Sequence, residues 1–150
     1  MWPLEVAPRP IGGLCARALQ FVSDECDEVM AWEELLLRHA VEMPVGDWKR
    51  ETAASGVMMI PVPASGVLES VEGEELARAV PHIVGLEITA RLHDYIAAWP
   101  EGSSYLGFLF ARAETAGEVE AALRAAHEKL RFAIRERLAV EHPATRRVVG

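Results

Sequence analysis

The 150-residue chain sets 15 Lys and Arg against 23 Asp and Glu, a net charge of −8, with 51% hydrophobic residues. That length suits about one domain. The acidity argues against a nucleic-acid surface, which would show a basic stripe, and against an anionic membrane; no apolar run approaches the ~20 residues of a membrane span.

The chain opens extended. Leu4 and Val6 face one way, and Glu5, Ala7 and Arg9 share the other face of a period-two strand. Pro8 and Pro10 cannot donate to a ladder, so this is a strand end or an edge strand. Gly12-Gly13 permits a tight turn, and Leu14 to Val22 reads as a helix with Leu14, Ala18, Leu19 and Val22 on one side. N–H groups at a glycine turn and a helix start attract anions, Arg9 adds a planar fork of donors, and Glu5 suits a hard cation. From spacing alone, a plain surface ion pair between Glu5 and Arg9 is the stronger reading.

Ser23 to Glu28 is acidic and aperiodic, a surface turn. Met30 to Val41 is an amphipathic helix with acid at its start and base near its end. Trp48 to Thr52 is polar and shows no pattern. Val57 to Val62 is a short apolar run, a buried strand; Pro63 to Gly66 is a turn, and Val67 to Val71 a second strand. Gly73 to Val80 is a short helix stopped by Pro81. Val84, Leu86, Ile88 and Ala90 alternate with polar residues or glycine, as in a strand with one buried face. Tyr95 to Trp99 and Tyr105 to Ala113 are further strands, with Gly107 marking close approach of a neighbour. Thr115-Ala-Gly-Glu118 is a capping box opening a long helix that runs to Leu138, ahead of Pro143 and a loose tail. These elements give an α+β domain: a mostly antiparallel sheet, helices on one face and a long C-terminal helix.

His39, His82, His93, His127 and His142 show no metal-ligand spacing, and Cys15 and Cys26 fit no zinc pattern. Two thiols in a core-forming chain suit a reducing cytoplasm rather than a disulfide scaffold. Met1 to Glu5 lacks the basic and apolar regions of a signal peptide.

Glu5-Val6-Ala7-Pro8-Arg9-Pro10-Ile11-Gly12-Gly13 resembles the last motif of the ATP-grasp carboxylate–amine ligases, Glu-x-Asn-x-Arg followed by a glycine-rich turn. Downstream, Gly66 to Gly73, Pro81-His82-Ile83, Ser104 to Ala113 and Val119 to Leu123 are similar to the C-terminal lobe of that family. The amino-acid (dipeptide) ligases and biotin-carboxylase-like members are nearest, and the likeness runs from Leu4 to Leu138. The resemblance implies Glu5 as a magnesium ligand, Arg9 as the catalytic phosphate-supporting residue and Gly12 and Gly13 as cofactor-binding backbone. Its cofactors are ATP and magnesium, and its substrates a small carboxylate and an amine, possibly amino acids. Ala7 stands where the family has a metal-binding Asn, which puts a complete two-metal site in doubt.

The resemblance divides the chain into the end of the catalytic core (1–22), a helical connector (23–55), the C-terminal α+β lobe (56–142) and a tail (143–150). The nucleotide-binding segments that precede the motif in the family are not among these residues. The chain is therefore expected to be part of something longer or one half of a split gene, with little or no ligase activity alone. A partner chain carrying the rest of the fold, or self-association through Leu4, Val6 and Ile11, is expected. The alternative is a non-catalytic α+β interaction or regulatory module.

Overall fold

The computed structural model describes residue 12, residues 14–26 and residues 28–136. A 3-10 turn at Cys15–Ala18 precedes β1 (Gln20–Val22), β2 (Val29–Ala31), α1 (Trp32–Ala40) and β3 (Lys49–Arg50). The chain continues through β4 (Ala54–Ile60), β5 (Gly66–Glu72), α2 (Glu74–Arg78), β6 (Ile83–Ile88), β7 (Tyr95–Ile96), β8 (Gly107–Ala113), α3 (Ala116–His127) and β9 (Arg131–Arg135). The described strands form three antiparallel sheets of three, ordered β2-β1-β3, β4-β8-β6 and β7-β5-β9. The architecture is the expected α+β one.

Strand β8 is the middle of its sheet, and every residue from Gly107 to Ala113 except Arg112 is buried. A strand covered on both faces reads as a near-continuous apolar run rather than an alternation, which this segment shows apart from Arg112. Its register with β4 runs from Ala54 opposite Ala113 to Ile60 opposite Gly107. Gly107 confirms the close approach expected of it: a Cβ there would stand 2.3 Å from the Glu87 carbonyl oxygen.

Helix α3 lies against one face of this sheet. Gly56, paired with Ala111, would drive a Cβ to within 2.6 Å of Val119 on α3, so the backbone and helix meet there without a side chain between them. Val119, Ala122, Leu123 and Ala126 form the buried stripe of α3. They join Ile60 of β4, Leu68 of β5, Ala77 of α2, Leu86 of β6 and Leu109 of β8 in a single hydrophobic core. The capping box is present as expected: the Glu118 N–H donates to the Thr115 hydroxyl at 3.3 Å, and the Thr115 N–H donates to the Glu118 carboxylate at 2.9 Å.

Three elements differ from the sequence reading. The helix expected over Leu14 to Val22 is a single 3-10 turn followed by β1, because Phe21 and Val22 pair with both β2 and β3. Phe21 also stacks on Trp32 with ring centroids 5.8 Å apart; these tertiary partners outweigh a weak local helix preference. The helix expected from Met30 starts at Trp32, and Met30, only 2% exposed, is held in β2. The long last helix ends at His127, and Arg131–Arg135 returns as β9 beside β5.

Candidate functional site

Of the residues singled out by sequence, Glu5, Arg9 and Gly13 lie outside the described residues. Gly12 is in an exposed turn just ahead of the 3-10 segment. The anion attraction expected from a helix starting at Leu14 loses its basis. One 3-10 turn lacks the stacked peptide dipoles that give a longer helix its positive N-terminus.

The structure instead draws attention to the other face of the β4-β8-β6 sheet. On β8, Leu109, Ala111 and Ala113 share the α3 face, so alternation turns Phe110 and Arg112 away from it. Over that second face lies the 3-10 segment. The Ser55 hydroxyl donates to the Ala18 carbonyl at 2.9 Å, and the Glu51 N–H donates to the Gln20 carbonyl at 3.1 Å. Between segment and sheet is a cavity of about 450 Å³, bordered by Arg17, Gln20, Ser55, Gly85, Glu87 and Phe110, with Arg78 and Arg112 also reaching it.

Each of the three arginines has a carboxylate neighbour, and the three pairs differ. Arg17 donates to Glu87 through Nη1, tying the 3-10 segment to β6, and both side chains are well exposed. Arg78 Nη2 is 3.7 Å from Glu74, beyond hydrogen-bond distance. Arg112 and Glu51 are largely shielded from solvent; Arg112 Nη1 donates to Glu51 Oε2 at 2.7 Å, and Nη2 stands 2.7 Å from Oε1, which is buried and accepts no hydrogen bond. This ion pair bridges a separation of 61 residues and fixes the segment after β3 against β8. Exposed pairs are worth little, whereas a shielded pair is costly to break on one side.

None of these arginines stood out in the sequence by spacing. Arg112 alone left a signal: it is the single charge within the apolar run from Tyr105 to Ala113. Among the described residues no group of three or more His, Cys, Asp or Glu is placed to hold a metal ion. Both cysteines are free thiols. No described helix is long and apolar enough to cross a membrane.

The family model for "L-amino acid ligase C-terminal domain 2" matches residues 58–135, from β4 through β9. Two solved structures share the fold. The L-amino acid ligase from Bacillus licheniformis superposes with a TM-score of 0.61 at 22% sequence identity, over 71% of this chain and 27% of that one. The phosphoribosylglycinamide synthetase from Anaerococcus prevotii gives a TM-score of 0.58 at 15% identity, over 69% of this chain and 27% of that one. The chain thus spans about a quarter of the length of each. No curated protein matches its sequence.

Proposed function

The chain belongs to the L-amino acid ligase C-terminal domain 2 family, and from that premise we propose that it serves as the C-terminal portion of an ATP-grasp ligase joining a carboxylate to an amine. The observation that carries this reading is the family match over residues 58–135, which takes in every fully buried residue of the core around β8 and α3. The proposed reaction forms an acyl phosphate on the carboxylate, which an amine then attacks. In this reading residues 1–22 close the catalytic core, 23–55 connect it, and 56–142 form the lobe. The proposed setting is the cytoplasm.

Within that reading Arg9 supports the transferred phosphate, as its planar fork of donors suits. The Gly12-Gly13 turn offers backbone N–H groups beside it. ATP and magnesium are the cofactors the reading calls for. Glu5 is the residue of this chain that the reading gives to the metal, and Ala7 can add no second ligand. Phosphoryl transfer depends on positioning and on neutralising charge from several sides. One carboxylate and one guanidinium supply little of either, so we propose that the remaining contacts come from the nucleotide-binding part of the ligase.

The test is ADP release from Mg-ATP with a panel of amino acids. The chain alone should release none above background, and the chain joined to the nucleotide-binding part of an L-amino acid ligase should release it. Arg9→Ala in the joined protein should abolish turnover. Robust ADP release by the chain alone would overturn the claim that it needs the rest of the fold. A correctly folded joined protein without turnover would favour the non-catalytic module instead.

A further inference from the structure

We infer that the cavity between the 3-10 segment and the outer face of the β4-β8-β6 sheet is a binding site for a small organic oxyanion with an apolar body. The inference stands on described residues only and does not depend on the ligase reading.

The first ground is convergence. Three arginines from three separate elements, the 3-10 segment, α2 and β8, border this cavity together with one carboxylate, Glu87. Each arginine has its own carboxylate neighbour, so the pull on an anion comes from charge-assisted guanidinium hydrogen bonds rather than from a net positive charge.

Donor capacity is the second ground. Each guanidinium has five N–H donors. Arg17 uses one of them on Glu87, in an exposed pair that a ligand can displace or share. Arg78 is too far from Glu74 to spend any on it. Arg112 is already locked by Glu51, so its remaining donors are held in a fixed orientation without further loss of side-chain freedom.

Shape gives the third ground. About 450 Å³ lies in the range of small-molecule sites, which pair an apolar wall with a few placed polar groups. Phe110 supplies the wall. Opposite it on β6 is Gly85, where even a Cβ would come within 3.2 Å of the Phe110 ring, so the absence of a side chain keeps that end open. Ser55, whose hydroxyl is bonded to the Ala18 carbonyl, and Gln20 complete the border.

The shared chemistry is an oxyanion, whose source is a carboxylate or a phosphate ester. The experiment titrates the isotope-labelled chain, without ATP or magnesium, with 3-phenylpropionate, phenyl phosphate and the neutral 3-phenylpropanamide. Backbone amide shifts are the readout. At least one anion should bind with a Kd on the order of 1 mM, moving the amides of Arg17, Ser55, Gly85 and Phe110, and the amide probe should not. The stronger of the two anions identifies the source. Arg17→Met should weaken binding about tenfold, the loss of one charge-assisted contact. So should Arg112→Met combined with Glu51→Gln, a pair chosen to leave no shielded carboxylate unpartnered. Unchanged far-ultraviolet circular dichroism and melting temperature confirm that each variant folds. No binding by either anion, equal binding of the neutral amide, shifts centred elsewhere, or folded variants that bind as the parent does would each overturn the inference. Because no nucleotide is present, failure here leaves the ligase reading untouched, and failure of the ligase assay leaves this one untouched.

Discussion

Two glycine-to-alanine substitutions should move the stability of this protein in opposite directions. Gly73, at the start of α2, has φ +86°, and an added Cβ would lie 2.0 Å from the backbone carbonyl oxygen of Lys129 and 3.0 Å from its carbon. A non-glycine residue in the left-handed region costs about 1–2 kcal/mol. The carbonyl belongs to the turn between α3 and β9, where the Leu130 N–H of the same peptide plane is already bonded to His127 O at 3.1 Å, so it cannot swing aside as a side-chain tip would. Strain of this kind adds about 1–3 kcal/mol. Gly73→Ala should therefore destabilise by roughly 2–5 kcal/mol and, at roughly 2–4 °C per kcal/mol for a chain of this size, lower Tm by roughly 4–20 °C. Gly117, in the first turn of α3, has nothing within 4 Å of the added Cβ. Gly117→Ala should stabilise by about 0.5 kcal/mol, since alanine has less backbone entropy to lose in a helix. Urea and thermal unfolding of both variants are the assay. A Gly73→Ala protein within about 0.5 kcal/mol of the parent, the usual scatter of surface changes, would refute the geometry at the β5–α2 junction.

Leu109, fully buried at the centre of β8, should cost about 2–5 kcal/mol when cut to alanine, measured by the same unfolding curves. Arg112→Met alone strands the shielded Glu51 carboxylate and should cost about 3 kcal/mol, while adding Glu51→Met should recover most of that loss; equal stability of single and double variants would contradict the pairing. The Thr115 hydroxyl holds the Glu118 carboxyl below its ordinary value of 4.5, and the Ser23 hydroxyl holds Asp47 below 3.8. Groups depressed on folding stabilise the native state above their unfolded pKa and lose that contribution as pH falls through the lowered folded value. Tm should therefore drop on acidification from about pH 5 downward, and Thr115→Ala with Ser23→Ala should make the drop shallower; an unchanged acid slope would count against both hydrogen bonds.

Much of the lobe could be read from residues because its signals are local. The Thr115-Ala-Gly-Glu118 box needs no distant partner to form, and the β8 run is apolar in every context. The failures share a different cause. Arg131-Phe-Ala-Ile-Arg135 shows the alternation of a strand, with Phe132 and Ile134 the less exposed positions. But Leu130, Ala133 and Ile134 also continue the spacing of α3, and no glycine or proline marks the stop after His127. Only the presence of β5 decides between the two periods. Gln20–Val22 and Lys49–Arg50 are likewise strands by virtue of each other. For the site, the Glu-x-x-x-Arg motif was visible as a local pattern. The arginine-bordered cavity joins residues 17, 78 and 112, which no reading along the chain brings together.

The placement of β9 reaches beyond its five residues. It pairs along nearly the full length of β5, whereas on the opposite flank β7 matches only Gly66 and Val67. A chain cut at Leu130 would keep every described helix, yet the flank of β5 that β9 covers, between Val67 and Glu72, would be left as a bare row of N–H and C=O groups. Such a row is filled most easily by the equivalent strand of another molecule. A trimmed version of this protein, however well its helices form, is thus poised to swap strands with its copies.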